Sequence, residues 1–187
     1  KAQEALWQVV FDTDYLPTKG SKPGWQPVPG ATGWQLEGSV FTFRGQDGEP
    51  AFLQLRGKDF LDHCRYNQIN IGAGQFIVSD LLLRTVATWQ DGDGRILLQL
   101  SKRGRLYTVE IDPGEGAGRT LHEAIGEPAS QQELERWEFR PWKRGVPVRV
   151  GFANVDHQLQ VWMNDRLVWS SPLPDGPATA AWIRQQP

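Results

Sequence analysis

A chain of 187 residues, 39% hydrophobic and 22% charged, is long enough for one domain with a substantial core, burying about 70% of the surface its unfolded form exposes. The 22 acidic and 20 basic residues leave a formal charge of -2, which gives no electrostatic reason to expect nucleic acid or an acidic surface as partner. The single cysteine, Cys64, excludes an internal disulfide and leaves the redox compartment open, and no apolar run approaches the roughly 20 residues needed to span a bilayer. The chain starts at Lys1 without a methionine or a charged-then-apolar signal segment and stops at Pro187, as expected of a single domain, residues 1–187, excised from a larger protein. Nine tryptophans is a high count: most are expected in core and hairpin packing, which leaves room for one or two at a binding face.

In chain order, residues 5–15, ALWQVVFDTDY, read as a strand stopped by Pro17, Gly20, Pro23 and Gly24. A loop punctuated by Trp25 follows. Residues 34–44, with Leu36, Val40, Phe41 and Phe43, and residues 51–55 are separated by the turn GQDGEP and predict a hairpin. Residues 58–74 show no clean period of 2 or 3.6 and read as loop. Residues 76–90 are apolar on both parities, Leu81, Leu83, Ala87 and Trp89 against Leu82 and Val86, as in a central strand. The turns at 91–94 and 102–104 then predict two more strands in meander order, carrying Ile96, Leu98 and Leu100 and then Tyr107, Val109 and Ile111 on one face. Residues 113–132, rich in glycine and alanine, predict a long loop or a lid. Residues 133–142 predict a strand with Trp137 and Phe139 on one face, although Ser130 and Glu133 also fit a capping box for one helical turn.

The stretch 146–169, VPVRVGFANVDHQLQVWMNDRLVW, is the most legible. Val146, Val148, Val150 and Phe152 alternate with small or polar residues, the parity resumes in Leu159, Val161 and Met163, and Asn164-Asp165 tolerates the left-handed backbone of a tight turn before Leu167 and Trp169. Some ten short strands with frequent turns and no long amphipathic helix predict an all-β fold: a jelly-roll sandwich of two antiparallel sheets with little helix. An immunoglobulin-type sandwich is disfavoured by the chain's length and by the lack of paired cysteines around a buried tryptophan.

Motifs for catalysis are sparse. Glu133, Glu135 and Glu138 offer carboxylates for glycoside chemistry, Glu133 and Glu135 sharing a face of a regular strand, but a solvated charged segment explains them as well. Asp91-Gly92-Asp93-Gly94 lacks the further oxygen ligands of a calcium loop and reads as a turn. His63-Cys64 beside Asp62 has no second cysteine or nearby histidine, so no zinc site is expected; His122 and His157 read as turn or surface residues. Ser101-Lys102 and Ser21-Lys22 lack the surroundings of an activated nucleophile. No catalytic residue, metal or cofactor is assigned.

Trp162 stands apart. Gln158, Gln160, Trp162 and Asn164 share the outward parity of their strand, so the ring points away from the sandwich interior. With Arg149, Arg84, Gln99 and Gln160 it forms the candidate stacking and hydrogen-bonding platform for a sugar or a peptide; a loop laid over the ring fits the same parity.

Several segments together resemble an insertion domain of signal peptidase I-like proteins of planctomycete bacteria: VFDTDYLP at 10–17, GW at 33–34 before FTFRG, YN at 66–67, VSDLLLR at 78–84 and RVGFANVDHQLQVWMNDRLVW at 149–169. They span most of the chain, and similar strand and turn patterns occur more broadly in concanavalin A-like lectin and glucanase sandwiches. This chain has Asn164-Asp165 where the family often has Asp-Gly. The resemblance implies a membrane-anchored serine peptidase with a Ser/Lys dyad, acting on the extracytoplasmic side of the cytoplasmic membrane. The family's Ser-Met nucleophile motif is absent, since the only methionine, Met163, follows Trp162, so no catalytic residue carries over. What remains is an expected non-catalytic accessory sandwich with a polypeptide or glycan partner.

Overall fold

The computed structural model describes residues 24–45, 50–55, 80–102, 104–155 and 157–173. Among them are twelve strands and no helix. The predicted strand at 5–15, the loop at 58–74 with His63 and Cys64, the Ser21-Lys22 pair and the resemblance segments at 10–17 and 66–67 lie outside the described residues. The chain divides into two compact units, Lys1–Val78 and Ser79–Pro187.

In the first unit, β1 (Trp25–Pro27) pairs antiparallel with β4 (Leu53–Leu55), and β2 (Trp34–Glu37) pairs with β3 (Val40–Phe43). The hairpin expected across GQDGEP is therefore replaced by a tighter one. Glu37 sits opposite Val40, so the connection is the two-residue loop Gly38-Ser39, and Gly38 takes the left-handed backbone (φ 61°) that such a loop requires. The register puts Trp34 opposite Phe43 and Leu36 opposite Phe41, which collects four apolar side chains on one face of the hairpin.

In the second unit, β5 (Leu81–Thr88), β6 (Ile96–Lys102), β7 (Arg105–Asp112), β8 (Ala117–Ala124), β9 (Glu127–Glu138), β10 (Pro147–Val155), β11 (Gln158–Met163) and β12 (Arg166–Pro172) form two antiparallel four-stranded sheets. Their orders are β12-β11-β10-β5 and β6-β7-β8-β9. The chain leaves the first sheet after β5, builds the whole opposing sheet, and returns at β10 beside β5, the long return of a jelly-roll sandwich. The all-β class and the two antiparallel sheets agree with the sequence expectation.

The core lies between the sheets. Leu98, Tyr107, Val109, Ile111 and Trp137 come from one, and Val148, Val150, Phe152, Leu159, Val161, Met163 and Trp169 from the other. These are the inward parities of their strands, and each fully buried aliphatic or Phe side chain contributes about 1.5–3 kcal/mol of hydrophobic stabilisation. Trp137 stacks on Trp169 across the sandwich, with ring centroids 6.4 Å apart and planes at 21°. Gly118, opposite Trp137 in the neighbouring strand, has no side chain because the Trp137 ring lies where a Cβ would stand.

Three expectations change. Residues 113–132 are neither loop nor lid: they contain β8 and the start of β9, joined by a tight turn. The inner face of β8 is made of Gly118, Thr120 and His122, so it carries no hydrophobic alternation and is held by its ladder on both sides. Among the described residues β5 pairs with β10 alone, and the turn at 91–94 carries the chain between sheets instead of closing a meander hairpin. Ser130 caps no helix; its hydroxyl donates to the Glu127 carbonyl (2.7 Å) and accepts from the Ala124 amide (2.8 Å) within the β8–β9 hairpin. The meander from residue 147 onward stands as expected, with Asn164 (φ 47°) and Asp165 (φ 63°) left-handed in the β11–β12 turn.

Candidate functional site

The sheet β12-β11-β10-β5 turns one face to the core and the other outward. Across the outward face the register aligns Arg84, Gly151, Trp162 and Leu167 in one row. Leu82, Ala153, Gln160 and Ser170 form the next row, and Val86 pairs with Arg149 on the other side. Trp162 is half-buried: its Cβ and Cε3 lie 3.6 Å from where a Cβ of Gly151 would be, and the Leu82 Cδ1 lies at 3.7 Å from the same point. Gly151 thus leaves the space beside which the ring lies, and Leu82 of β5 borders the same space. A bulge between Val161 and Trp162 in the pairing with β12 sets the ring opposite Leu167, which is 52% exposed.

The polar groups of this face are held by neighbours. The Arg149 guanidinium pairs with Asp165 at 2.7 Å, and the Arg149 amide donates to the Asn164 side-chain oxygen at 3.0 Å, so the β11–β12 turn fixes the arginine's base. The Gln160 carboxamide donates to Gln158 Oε1 at 3.1 Å. Four of the five predicted platform residues, Trp162, Arg149, Arg84 and Gln160, thus stand on one face. Gln99 does not: it belongs to β6 in the opposing sheet, where its carboxamide donates to Thr108 Oγ1 at 3.1 Å. Parity assigns a residue to the inside or the outside of a sandwich, but not to one of its two sheets.

Glu133 and Glu135 are not arranged as an acid and a nucleophile. A register shift in the β8–β9 pairing leaves Glu133 opposite Leu121 and Glu135 opposite Thr120, so the two lie on opposite faces rather than sharing one. Glu133 takes a two-pronged hydrogen bond from Arg136 (2.8 and 2.9 Å) and lies 3.8 Å from Arg119. That hydrogen bond is the main reason its carboxyl sits below the ordinary glutamate range; partial desolvation opposes it, and the charges of Arg136 and Arg119 add to it. A general acid of a glycosidase needs the opposite shift. Arg119 is gripped in turn by Glu110, which keeps it charged. Glu135 accepts the indole N–H of Trp169 at 3.0 Å, tying the edge of one sheet to the last strand of the other.

Asp91 accepts the amide of Gly92 at 2.8 Å and pairs with Arg144 at 3.0 Å, as a turn residue does. His122 is a buried strand residue and not a surface one: its ring stacks on Tyr107 (6.3 Å, 12°) and its Nδ1 lies 3.3 Å from the Arg105 guanidinium. His157 is exposed at left-handed φ (63°) in the β10–β11 turn, its carbonyl accepting the Leu173 amide. Sequence reasoning assigns Trp25, Trp34 and Phe41 of the first unit to a loop and a strand and not to a site. Their clustering among short strands was the available signal.

In comparison with solved structures, the chain resembles carbohydrate-binding module CBM66 from Bacillus subtilis, with a TM-score of 0.52, 16% sequence identity, and 80% of this chain and 79% of that one covered. The likeness is one of fold, a β-sandwich of antiparallel sheets. No family model and no curated protein matches the sequence.

Proposed function

We propose that this chain is a non-catalytic glycan-binding module whose site is the outward face around Trp162. The observation that carries the reading is the Trp162 ring lying beside Gly151 between Arg84 and Leu167, with Gln160 and Arg149 on the adjoining positions. A half-exposed indole face packs against the apolar C–H face of a sugar ring, while guanidinium and carboxamide groups at its edge exchange hydrogen bonds with hydroxyls. The sandwich shared with a carbohydrate-binding module supports this, and so do the Glu133 and Glu135 carboxylates, which are committed to Arg136 and Trp169. A glycan array of wild type and Trp162→Ala tests it. The expected result is a defined set of glycans bound by wild type and weakened about tenfold or more in the variant, the loss of one stacking anchor. Wild type that binds no glycan sinks the proposal.

A second reading rests on the resemblance to signal peptidase I-like proteins: an accessory domain beside a membrane-anchored peptidase core outside the cytoplasmic membrane. Its support is that VSDLLLR and RVGFANVDHQLQVWMNDRLVW contribute neighbouring strands β5, β10, β11 and β12 of one sheet, the sheet that presents Trp162. The two readings are compatible, since such a domain can hold its parent against an envelope glycan. The gene flanking this chain decides the second: Ser/Lys peptidase motifs and a membrane segment are expected, and their absence removes it.

A further inference from the structure

The first unit carries a separate concentration of aromatic surface. Between β1 and the β2–β3 hairpin lies a cleft of about 200 Å³ whose lining includes Trp25, Trp34 and Phe41, with Leu36, Gln26 and Gln35 beside them. The hairpin register makes this an ordered surface: Trp34 meets Phe41 edge-on (6.4 Å, 85°) and Phe43 at 4.9 Å, fixing the orientation of the Trp34 ring. The same face stays open, with Leu36 45% and Phe43 41% exposed. Scattered exposed apolar residues need no explanation, but an aromatic set lining a concavity together with two glutamines has the composition of a small-ligand site.

We infer that this cleft is a second sugar-binding subsite, one that takes a single uncharged ring of a glycan. It rests on the glycan-binding reading for its ligand class, but on different residues. Among the described residues the lining holds no carboxylate, ammonium or guanidinium to neutralise an ionic ligand, and burying an unpaired charge there is costly. It does hold aromatic faces for the C–H face of a ring and amides that both donate to and accept from hydroxyls. Among the described residues the Trp34 indole N–H is buried and has no hydrogen-bond partner. The volume is below the roughly 300–1,000 Å³ of sites for drug-sized molecules, which fits one ring and not an enclosed oligomer.

Calorimetric titration of the full chain with neutral gluco-, manno- and xylo-hexasaccharides, and with a galacturonate trimer as the charged counterpart, tests the inference. Trp25→Ala and the milder Gln35→Ala are compared with wild type and Trp162→Ala, and near-UV circular dichroism confirms that each variant is folded. A neutral sugar bound by wild type is expected to lose about tenfold in affinity in Trp25→Ala and a few-fold in Gln35→Ala. If Trp25→Ala fails to fold, Gln35→Ala decides. Unchanged binding in both variants with loss in Trp162→Ala overturns the cleft and leaves the glycan reading standing. Equal or tighter binding of the galacturonate trimer through the cleft residues overturns the neutral-ring assignment. No binding of any sugar by wild type overturns both readings.

Discussion

Glu133 shows how little of a residue's chemistry its letter reveals. In the sequence it is one of several glutamates suited to glycoside chemistry; in the fold it is a clamp for Arg136, with Arg119 alongside. Its folded carboxyl is more acidic than the ordinary value it recovers on unfolding, so the pairing favours the folded state above the ordinary glutamate range. That contribution is lost as pH falls through the ordinary range to the lowered folded value. The group is solvent-exposed and salt-screened, so its signature is expected in its own titration and not in global stability. Carboxyl NMR should show Glu133 titrating below the ordinary glutamate range in wild type and shifting upward in Arg136→Gln. Superimposable curves would remove Arg136 as the cause. Trp162 was more legible: its parity placed it outward, and what parity omitted was that Gly151 leaves the space beside it.

At the level of elements, legibility followed the side chains that mark a face. β10, β11 and β12 were read correctly because Val148, Val150, Phe152, Leu159, Val161 and Met163 keep one parity toward the core. β8 was missed because its inner face is small or polar: Gly118 yields its space to Trp137, and Thr120 accepts that indole's N–H at 3.4 Å. The strand exists through its neighbours' ladders, a tertiary cause that local sequence does not carry. The faces of Glu133 and Glu135 were misjudged for a related reason, since a bulge resets parity without a marker residue. The β11–β12 turn was legible because Asn164-Asp165 states its backbone requirement, and Asn164 also caps β10 by accepting the Arg149 amide. Asn164→Ala is expected to lose about 1–2 kcal/mol, combining left-handed strain with the lost acceptor. Asn164→Gly should lose about half as much, because glycine removes the strain alone. Urea denaturation of the two variants measures the difference, and equal losses would assign the whole effect to the side-chain bond.

For the molecule as a whole, the sequence carried the class of architecture and left open which strands share a sheet. Pattern distinguishes inside from outside, and Arg84, Arg149, Gln160 and Trp162 stand on one face; it does not distinguish the sheets, and Gln99 stands on the other. The turn at 91–94 has the composition of a hairpin but crosses between layers. One place where the layers are joined is the pair Lys102–Asp80. Lys102 ends β6 in one sheet, Asp80 immediately precedes β5 in the other, and Nζ and Oδ1 are 2.8 Å apart. The partners are unequal, the lysine side chain 4% and the aspartate 42% exposed. Removing the aspartate strands a buried ammonium, whereas removing the lysine returns a carboxylate to water. Asp80→Ala is therefore expected to lower stability by about 2–3 kcal/mol, less than for a fully buried pair because Asp80 is already partly solvated. Lys102→Met, which keeps the packed stem without the charge, should cost under about 1 kcal/mol. Urea denaturation at neutral pH compares them directly; a larger loss for Lys102→Met would mean that the ion pair, and not the burial of one partner, holds the two sheets at this end.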